Sequence, residues 1–350
     1  MKPHYPILDG LRGVAAVLVV VFHILEAHHP VYAQHPIHHG YLAVDFFFLL
    51  SGFVIGYAYD DRWGSMSGWE FCKIRLVRLH PLVILGTVAG AVGFVLDPYT
   101  NGMAHTSWLK LLGVMLIGLT LLPAPDIRGW GETHSLDGPA WSLLQEYFAN
   151  FLYALVGRRL GRRALGLVVA LSAVALLMAA THRGDIATGW GYDSFGYAII
   201  RMMYPFFAGL LVFRAGRLIR LPFAFPLCSL LLVILFCLPT FAYNGLYEAA
   251  CIIVLFPLVV SAGAGGQLNG IWVQVSQYLG AISYPLYITH YAFIYPYTAW
   301  VATHKPTMQQ ALPVAIGLFA AAILLAYAAL KLYDEPVREW LKRRVLLTRV

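Results

Sequence analysis

Arg12 and His23 both fall in the first strongly apolar stretch of the chain, where Leu8-Asp9-Gly10-Leu11-Arg12-Gly13 runs into Val14-Ala15-Ala16-Val17-Leu18-Val19-Val20-Val21-Phe22-His23. They are eleven residues apart, about three helical turns, so on a helix they share one face and stand about 16 Å apart along it. An ionisable side chain in a membrane helix costs at least ~2.5 kcal/mol, so it faces a protein interior or a wet cavity. Two of them on one stripe predict a polar path through the bilayer, with something bound at one end and chemistry further along. Histidine suits proton removal from a hydroxyl near neutral pH, and a carboxylate on its second nitrogen fixes the tautomer and stabilises the imidazolium. An arginine fork holds phosphate bidentately and keeps its charge.

The elements that must position these groups are membrane helices. The chain is 60% hydrophobic and 12% charged, with mean hydropathy +0.69. A soluble fold of 350 residues could not cover so much apolar surface. The N-terminus, with Lys2 before an apolar run, has the look of a signal peptide. Asp9 and Arg12 interrupt that run and no small-residue cleavage site follows, so a retained first helix is expected. The formal charge of +7 reads as topological and implies no nucleic-acid partner. Cys228, Cys237 and Cys251 lie in apolar runs and, with Cys72, match no zinc or disulfide spacing, so they read as buried hydrophobes. His28, His29, His35, His38 and His39 crowd one segment. Without a rigid spacing or acidic partners, that segment is expected to be a solvated loop, and no metal site is assigned.

Eleven apolar runs are visible, near residues 8–27, 42–59, 79–96, 108–122, 141–157, 164–181, 195–213, 222–239, 246–262, 278–302 and 311–333. Clusters at Lys73/Arg75/Arg78, Arg158–Arg163, Arg214/Arg217/Arg220 and Lys342/Arg343/Arg344 all ask to be cytoplasmic. Three runs separate the first two clusters, an odd number, so one run must fail to cross. The 108–122 run is short, carries Lys110 and ends at Pro123, and is expected to be re-entrant or interfacial. The expected fold is an all-α polytopic bundle of about ten transmembrane helices in a single domain over 1–350. Both termini are expected in the cytoplasm, including a tail from about 334. The Pro- and Gly-rich stretch 123–140 is expected to be an ordered outside cap over a cavity.

With that orientation, depth can be counted. His23, Asp45 and Glu146 each lie within about 8 Å of the outer boundary at ~1.5 Å per residue. Asp45 is the first candidate to orient His23 and Glu146 the second, whereas Glu26 reads as interfacial. Arg12 falls in the inner half, with Arg75 and Arg78 at the inner surface, so a phosphate-bearing cosubstrate from the cytoplasm would meet all three. Simpler roles stay open. Arg75 and Arg78 also fit positive-inside anchors, and Asp45 fits a helix N-terminus.

The motifs resemble the integral-membrane acyltransferase family 3. The opening LDGLRGVAAVLVVVFH is similar to that family's first signature, with Arg12 and His23 at matching spacing. The segment Gly40–Ile55 resembles its second-helix motif, and Arg75-Leu76-Val77-Arg78-Leu79-His80-Pro81 its RxxRxxP stretch. Trp141-Ser142-Leu143-Leu144-Gln145-Glu146 resembles its WSLxxE motif. Ser283–His290 and Glu335-Pro336 complete the order. The resemblance spans residue 8 to about 340. It implies an acyl-CoA donor, acetyl-CoA in the simplest case, taken from the cytoplasm, with no tightly bound cofactor. The acceptor would be a hydroxyl of an envelope or secreted glycan, acylated at the outer face of a bacterial inner membrane. It makes His23 essential, as base or as a nucleophile that is itself acylated, with Arg12 close behind and Arg75, Arg78 and Glu146 as motif positions. No hydrolase-like domain follows, so the unit is expected to act alone or with a separate partner.

Two rivals are weighed against this. A flippase for a lipid-linked glycan would use the same intramembrane charges, but no second copy of the first helix suggests an inverted repeat. A haem-binding membrane protein would need facing histidines, and His290 is expected mid-span, away from His23.

Overall fold

The computed structural model describes residues 4–346. The reading of Lys2 and the last four residues of the tail therefore lie outside the described residues. Twelve helices carry the fold. They are α1 (Pro6–Glu26), α2 (Ala43–Tyr59), α3 (Gly68–Leu96), α4 (Trp108–Gly118), α5 (Ala140–Leu155) and α6 (Arg162–Arg183). After them come α7 (Phe195–Ala215), α8 (Ala224–Cys237), α9 (Asn244–Gly265), α10 (Ile271–Thr289), α11 (Tyr291–His304) and α12 (Met308–Leu346). Both α9 and α12 contain π-helical turns. The described residues hold no strand, only an isolated bridge between Glu132 and Gly191.

Seven elements are long and apolar enough to cross a membrane: α1, the Gly40–Tyr59 unit containing α2, α3, α6, α7, α9 and α12. All eleven apolar runs are helical, but several depart from simple spans. The 278–302 run is two helices that meet at His290. The 108–122 run yields the 11-residue α4, about 16 Å long, half the ~30 Å of a hydrocarbon core. It ends in a turn with Leu121 at φ 63°, so its length fits the expected failure to cross.

Packing in the bilayer rests on close backbone approach, because lipid is as apolar as the helices. On α1, a Cβ at Gly13 would stand 2.4 Å from the Leu279 carbonyl oxygen, and one at Gly10 2.3 Å from Ser276 Oγ. The glycines of the first motif therefore press α1 against α10. In the same way a Cβ at Gly52 of α2 would meet the Phe206 carbonyl at 1.8 Å, and one at Gly209 of α7 the Leu49 carbonyl at 2.0 Å. These two contacts clamp α2 on α7.

The stretch between α4 and α5 is a plug more than a cap. Glu132, Thr133, His134, Ser135, Leu136 and Asp137 are all buried. The backbone at Leu136 rests on Gly90 of α3, where a Cβ would come within 1.8 Å of its carbonyl oxygen. His134 Nε2 bonds the Leu121 carbonyl at 2.9 Å and Tyr295 donates to Glu132 at 2.7 Å. With polar partners supplied by protein, irregular backbone can sit at depth.

The histidine-rich segment is packed where a solvated loop was expected. His35 and His39 are fully buried, His35 Nε2 against the Phe22 carbonyl at 3.0 Å and His39 Nδ1 against Glu248 at 3.0 Å. Of the cysteines, Cys228 and Cys251 are buried and Cys237 is exposed.

Candidate active site

Two cavities lie back to back along α1. The one at its N-terminal end, termed inner after the expected orientation, is about 540 Å³ and takes in Asp9, Arg12, Ser51, Arg75, Arg78 and Glu146. The outer one, about 430 Å³, takes in His23, Glu26, Trp130, Glu132, Arg201 and Tyr291. Val44 and Tyr287 border both, so these two side chains form part of the wall between them. Tyr287 is held there by a 2.8 Å hydrogen bond with Ser142 Oγ.

Arg12 is fixed from three directions. Its Nε donates to Ser283 Oγ at 2.8 Å, and one terminal nitrogen reaches both the Gly280 carbonyl at 3.2 Å and Asp9 at 3.2 Å. A Cβ at Gly280 would stand 2.7 Å from Asp9 Cβ, so close approach of α1 and α10 delivers Arg12 to its partners. Arg75 pairs with Glu146 at 2.7 Å, and Ser51 donates to the same carboxylate oxygen at 2.9 Å.

His23 sits partly exposed in the outer cavity with its Nδ1 2.7 Å from Glu26 and 3.3 Å from the Tyr291 hydroxyl. Its Nε2 bonds no described residue. A base whose other nitrogen is held by a carboxylate is the arrangement proton abstraction requires. The ring of His290 stacks on that of His23 at 5.5 Å between centroids, contrary to the expected separation, because α10 ends one residue before it. His290 Nδ1 is taken by the Leu286 and Tyr287 carbonyls, and its buried Nε2 has no partner among the described residues.

The structure brings Arg12, Arg75, Arg78 and Glu146 together and leaves Asp45 and Glu146 away from His23. Asp45 is wholly buried against Arg201, at 2.5 and 3.2 Å. Glu146 lies in the inner cavity with Arg75. Depth counting placed it outside because it assumed that α5 starts at the membrane surface. The helix starts beneath the plug, with Trp141 on the outer cavity and Ser142 and Glu146 on the inner one. The carboxylate on His23 is Glu26, three residues on, the spacing at which helix neighbours meet.

Sequence reasoning also missed Arg201 and Glu132. Arg201 is an intramembrane arginine, the same signal that singled out Arg12; it donates to the Thr188 and Tyr41 carbonyls at 2.7 and 3.0 Å as well as to Asp45. Glu132 is delivered by the plug, which no periodicity reveals. Burial pushes its carboxyl up to about 7, with Arg128 and the Tyr295 hydroxyl opposing. Nearby, Asp137 has both carboxyl oxygens without a partner and is held well above the usual carboxylate range by burial.

Comparison with known proteins agrees with the family resemblance. The acyltransferase 3 family model, described as an acyltransferase domain, matches residues 5–331. "Protein 2 in picA locus" of Rhizobium radiobacter is 36% identical over 185 residues, covering 50% of this chain and 94% of that protein. "Acyltransferase MdmB" of Streptomyces mycarofaciens is 29% identical over 318 residues, covering 83% of this chain and 79% of its own length. No solved structure matches significantly. With the family model spanning nearly all of a helical membrane chain, the protein belongs to the acyltransferase 3 family and is an acyl-transferring enzyme.

Proposed function

We propose that the protein moves an acyl group, acetyl in the simplest case, from cytoplasmic acyl-CoA to a hydroxyl of an envelope or secreted glycan at the outer face of a bacterial inner membrane. The observation that carries this reading is the pair of cavities sharing Val44 and Tyr287, one rich in arginine and the other holding a histidine–carboxylate pair. About 16 Å of helix separates Arg12 from His23, a distance of the order of an extended pantetheine arm. Donor phosphates would lie with Arg75 and Arg78, and Arg12 would meet the phosphate or the arm. Trp130, Trp141 and Trp190 give the outer cavity flat apolar faces with polar edges, which suit sugar rings.

In the proposed reaction His23 Nε2 removes the acceptor proton and the oxygen attacks the thioester carbonyl. The C–S bond breaks, and the imidazolium returns its proton to the departing thiolate. Glu26 stabilises the imidazolium while it exists. A variant in which His23 is itself acylated uses the same geometry. Purified protein in detergent or nanodiscs, given acetyl-CoA and a glycan acceptor, should release free thiol. His23→Ala should lower that rate by about 10²–10⁴ with the protein still monodisperse. Absence of thiol release with every acyl-CoA tried, or a well-folded His23→Ala protein that keeps its rate, would overturn the proposal.

A further inference from the structure

The inner cavity has a charge imbalance that its ion pairs resolve residue by residue. Of its five cations, Arg12 is paired with Asp9, Arg75 with Glu146, and Arg338 with the buried Asp334 at 2.7 Å. Arg78 and Lys342 border the same cavity and make no hydrogen bond or ion pair with any described residue. A cation that faces a cavity without a counter-ion is set to take an anion.

Lys342 reaches the cavity through the shape of α12. Leu330, Asp334, Arg338, Lys342 and Leu346 line it at a spacing of four, with Glu335 beside them, its carboxylate paired with Lys331 at 2.7 Å. On a regular α-helix that spacing drifts by about 40° per step, enough to carry Lys342 off the face set by Leu330. The π-helical turn Ala329–Asp334 takes up part of the drift before Lys342, and a second begins at Lys342 itself; wide turns of this kind recur at functional sites. The neighbouring cations do not share the face. Arg343 pairs with Glu339 at 3.3 Å and Arg344 lies over the Trp340 ring. Asp334, Arg338 and Lys342 lie beyond residue 331, where the family match ends.

We propose that the C-terminal part of α12 roofs the inner cavity and that Lys342, steered by the Arg338–Asp334 pair, binds the ribose 3′-phosphate of an acyl-CoA donor. The proposal rests on the reading of the inner cavity as the CoA site. The order of charges in CoA decides which phosphate it is. The thioester must reach the wall at Val44 and Tyr287, the pyrophosphate follows at Arg78, and the 3′-phosphate is the charge furthest from the wall. Lys342 lies eight residues past Asp334, about 12 Å further along the helix.

The test compares acetyl-CoA with 3′-dephospho-acetyl-CoA by thiol release. The wild type should prefer acetyl-CoA in kcat/KM by roughly tenfold or more, the size of a charge-assisted contact. Lys342→Ala should erase the preference by raising KM for acetyl-CoA, and Lys342→Arg should restore it. Arg343→Ala removes the same charge from the same helix without touching the cavity and should leave the preference intact. A preference that survives Lys342→Ala, or that Arg343→Ala erases equally, would overturn the 3′-phosphate site while leaving the CoA reading standing. A wild type inert toward both thioesters would overturn both.

Discussion

Replacing Asp45 by asparagine separates two accounts of the same residue. If Asp45 orients His23, the change should lower turnover and spare stability. The structure has it paired with Arg201, both side chains almost wholly buried, at 1% and 0% exposure. The neutral amide of Asp45→Asn would leave Arg201 its bonds to the Thr188 and Tyr41 carbonyls and, for counter-charge, only Glu248 and Asp185 beyond ion-pair distance. Breaking a buried pair from one side costs about 3–5 kcal/mol. For 350 residues at about 2.1 cal/mol/K each, the unfolding entropy is near 0.7 kcal/mol/K, so Tm should fall by roughly 4–7 °C. Membrane helices persist on denaturation, which lowers that entropy and makes the shift larger. The assay is heating in detergent followed by size-exclusion of the surviving monodisperse fraction, with turnover measured well below Tm. Arg201→Met added to Asp45→Asn should recover part of the loss, since the orphaned charge is then gone. An Asp45→Asn protein with unchanged Tm and turnover reduced as far as by His23→Ala would refute this assignment and return Asp45 to the chemistry.

Three further outcomes are expected. Glu26→Gln should lower kcat by about 10²-fold or more with little change in Tm, because its pair with His23 is partly exposed and such pairs contribute up to about 1 kcal/mol; a large Tm loss with normal kcat would contradict it. Glu132 has its folded-state pKa raised from 4.5 to about 7, so the folded state holds the proton more tightly than the unfolded one and stability should decline as pH rises from about 4.5 through 7. Glu132→Gln should flatten that part of the Tm–pH curve, and an unaltered slope would show that the plug carboxyl does not titrate there. Thr100→Cys and Pro125→Cys, on exposed positions flanking α4 in a background without the native cysteines, should both react with an impermeant maleimide in intact cells; labelling of one alone would mean that the 108–122 run crosses after all.

Much of the helical layout was legible because bilayer solvation leaves a one-dimensional trace. Apolar runs, interrupted by basic loops, must be helices, and the short 108–122 run gives the short 11-residue helix its sequence suggests. The relative placement of Arg12 and His23 was legible too: they sit on one helix, so their spacing survives any packing. What depends on irregular backbone was not. The plug looked like a surface cap because Pro123, Pro125, Gly129, Gly131 and Gly138 are turn formers whether a turn is wet or buried. Only the bare faces of Gly86 and Gly90 on α3 let Leu136 and Asp137 descend. That descent lowers the start of α5 and carries Glu146 past the wall. Pairings between helices were equally hidden. Asp45 had two plausible roles by depth, and its partner Arg201 lies 156 residues away.

The same geometry bears on how a membrane-crossing transfer can be organised. Arg12 and His23 are held on one rigid helix, and Gly10 and Gly13 press that helix so closely on α10 that a methyl group would not fit. Sliding α1 relative to α10 would break the Arg12–Ser283 bond and the packing together, so the two ends of the path are fixed in register. The cavities coexist in one conformation, with the side chains of Val44 and Tyr287 in the wall between them. On the proposed reading, donor and acceptor meet by side-chain rotation at that wall, and the helices need not rock as they do in alternating access. Tyr287 is the side chain that must move, and its 2.8 Å bond to Ser142 Oγ ties that motion to α5, the helix whose next turn carries Glu146 to Arg75. A donor that displaces Arg75 from Glu146 therefore acts one helical turn from the residue that holds the wall shut.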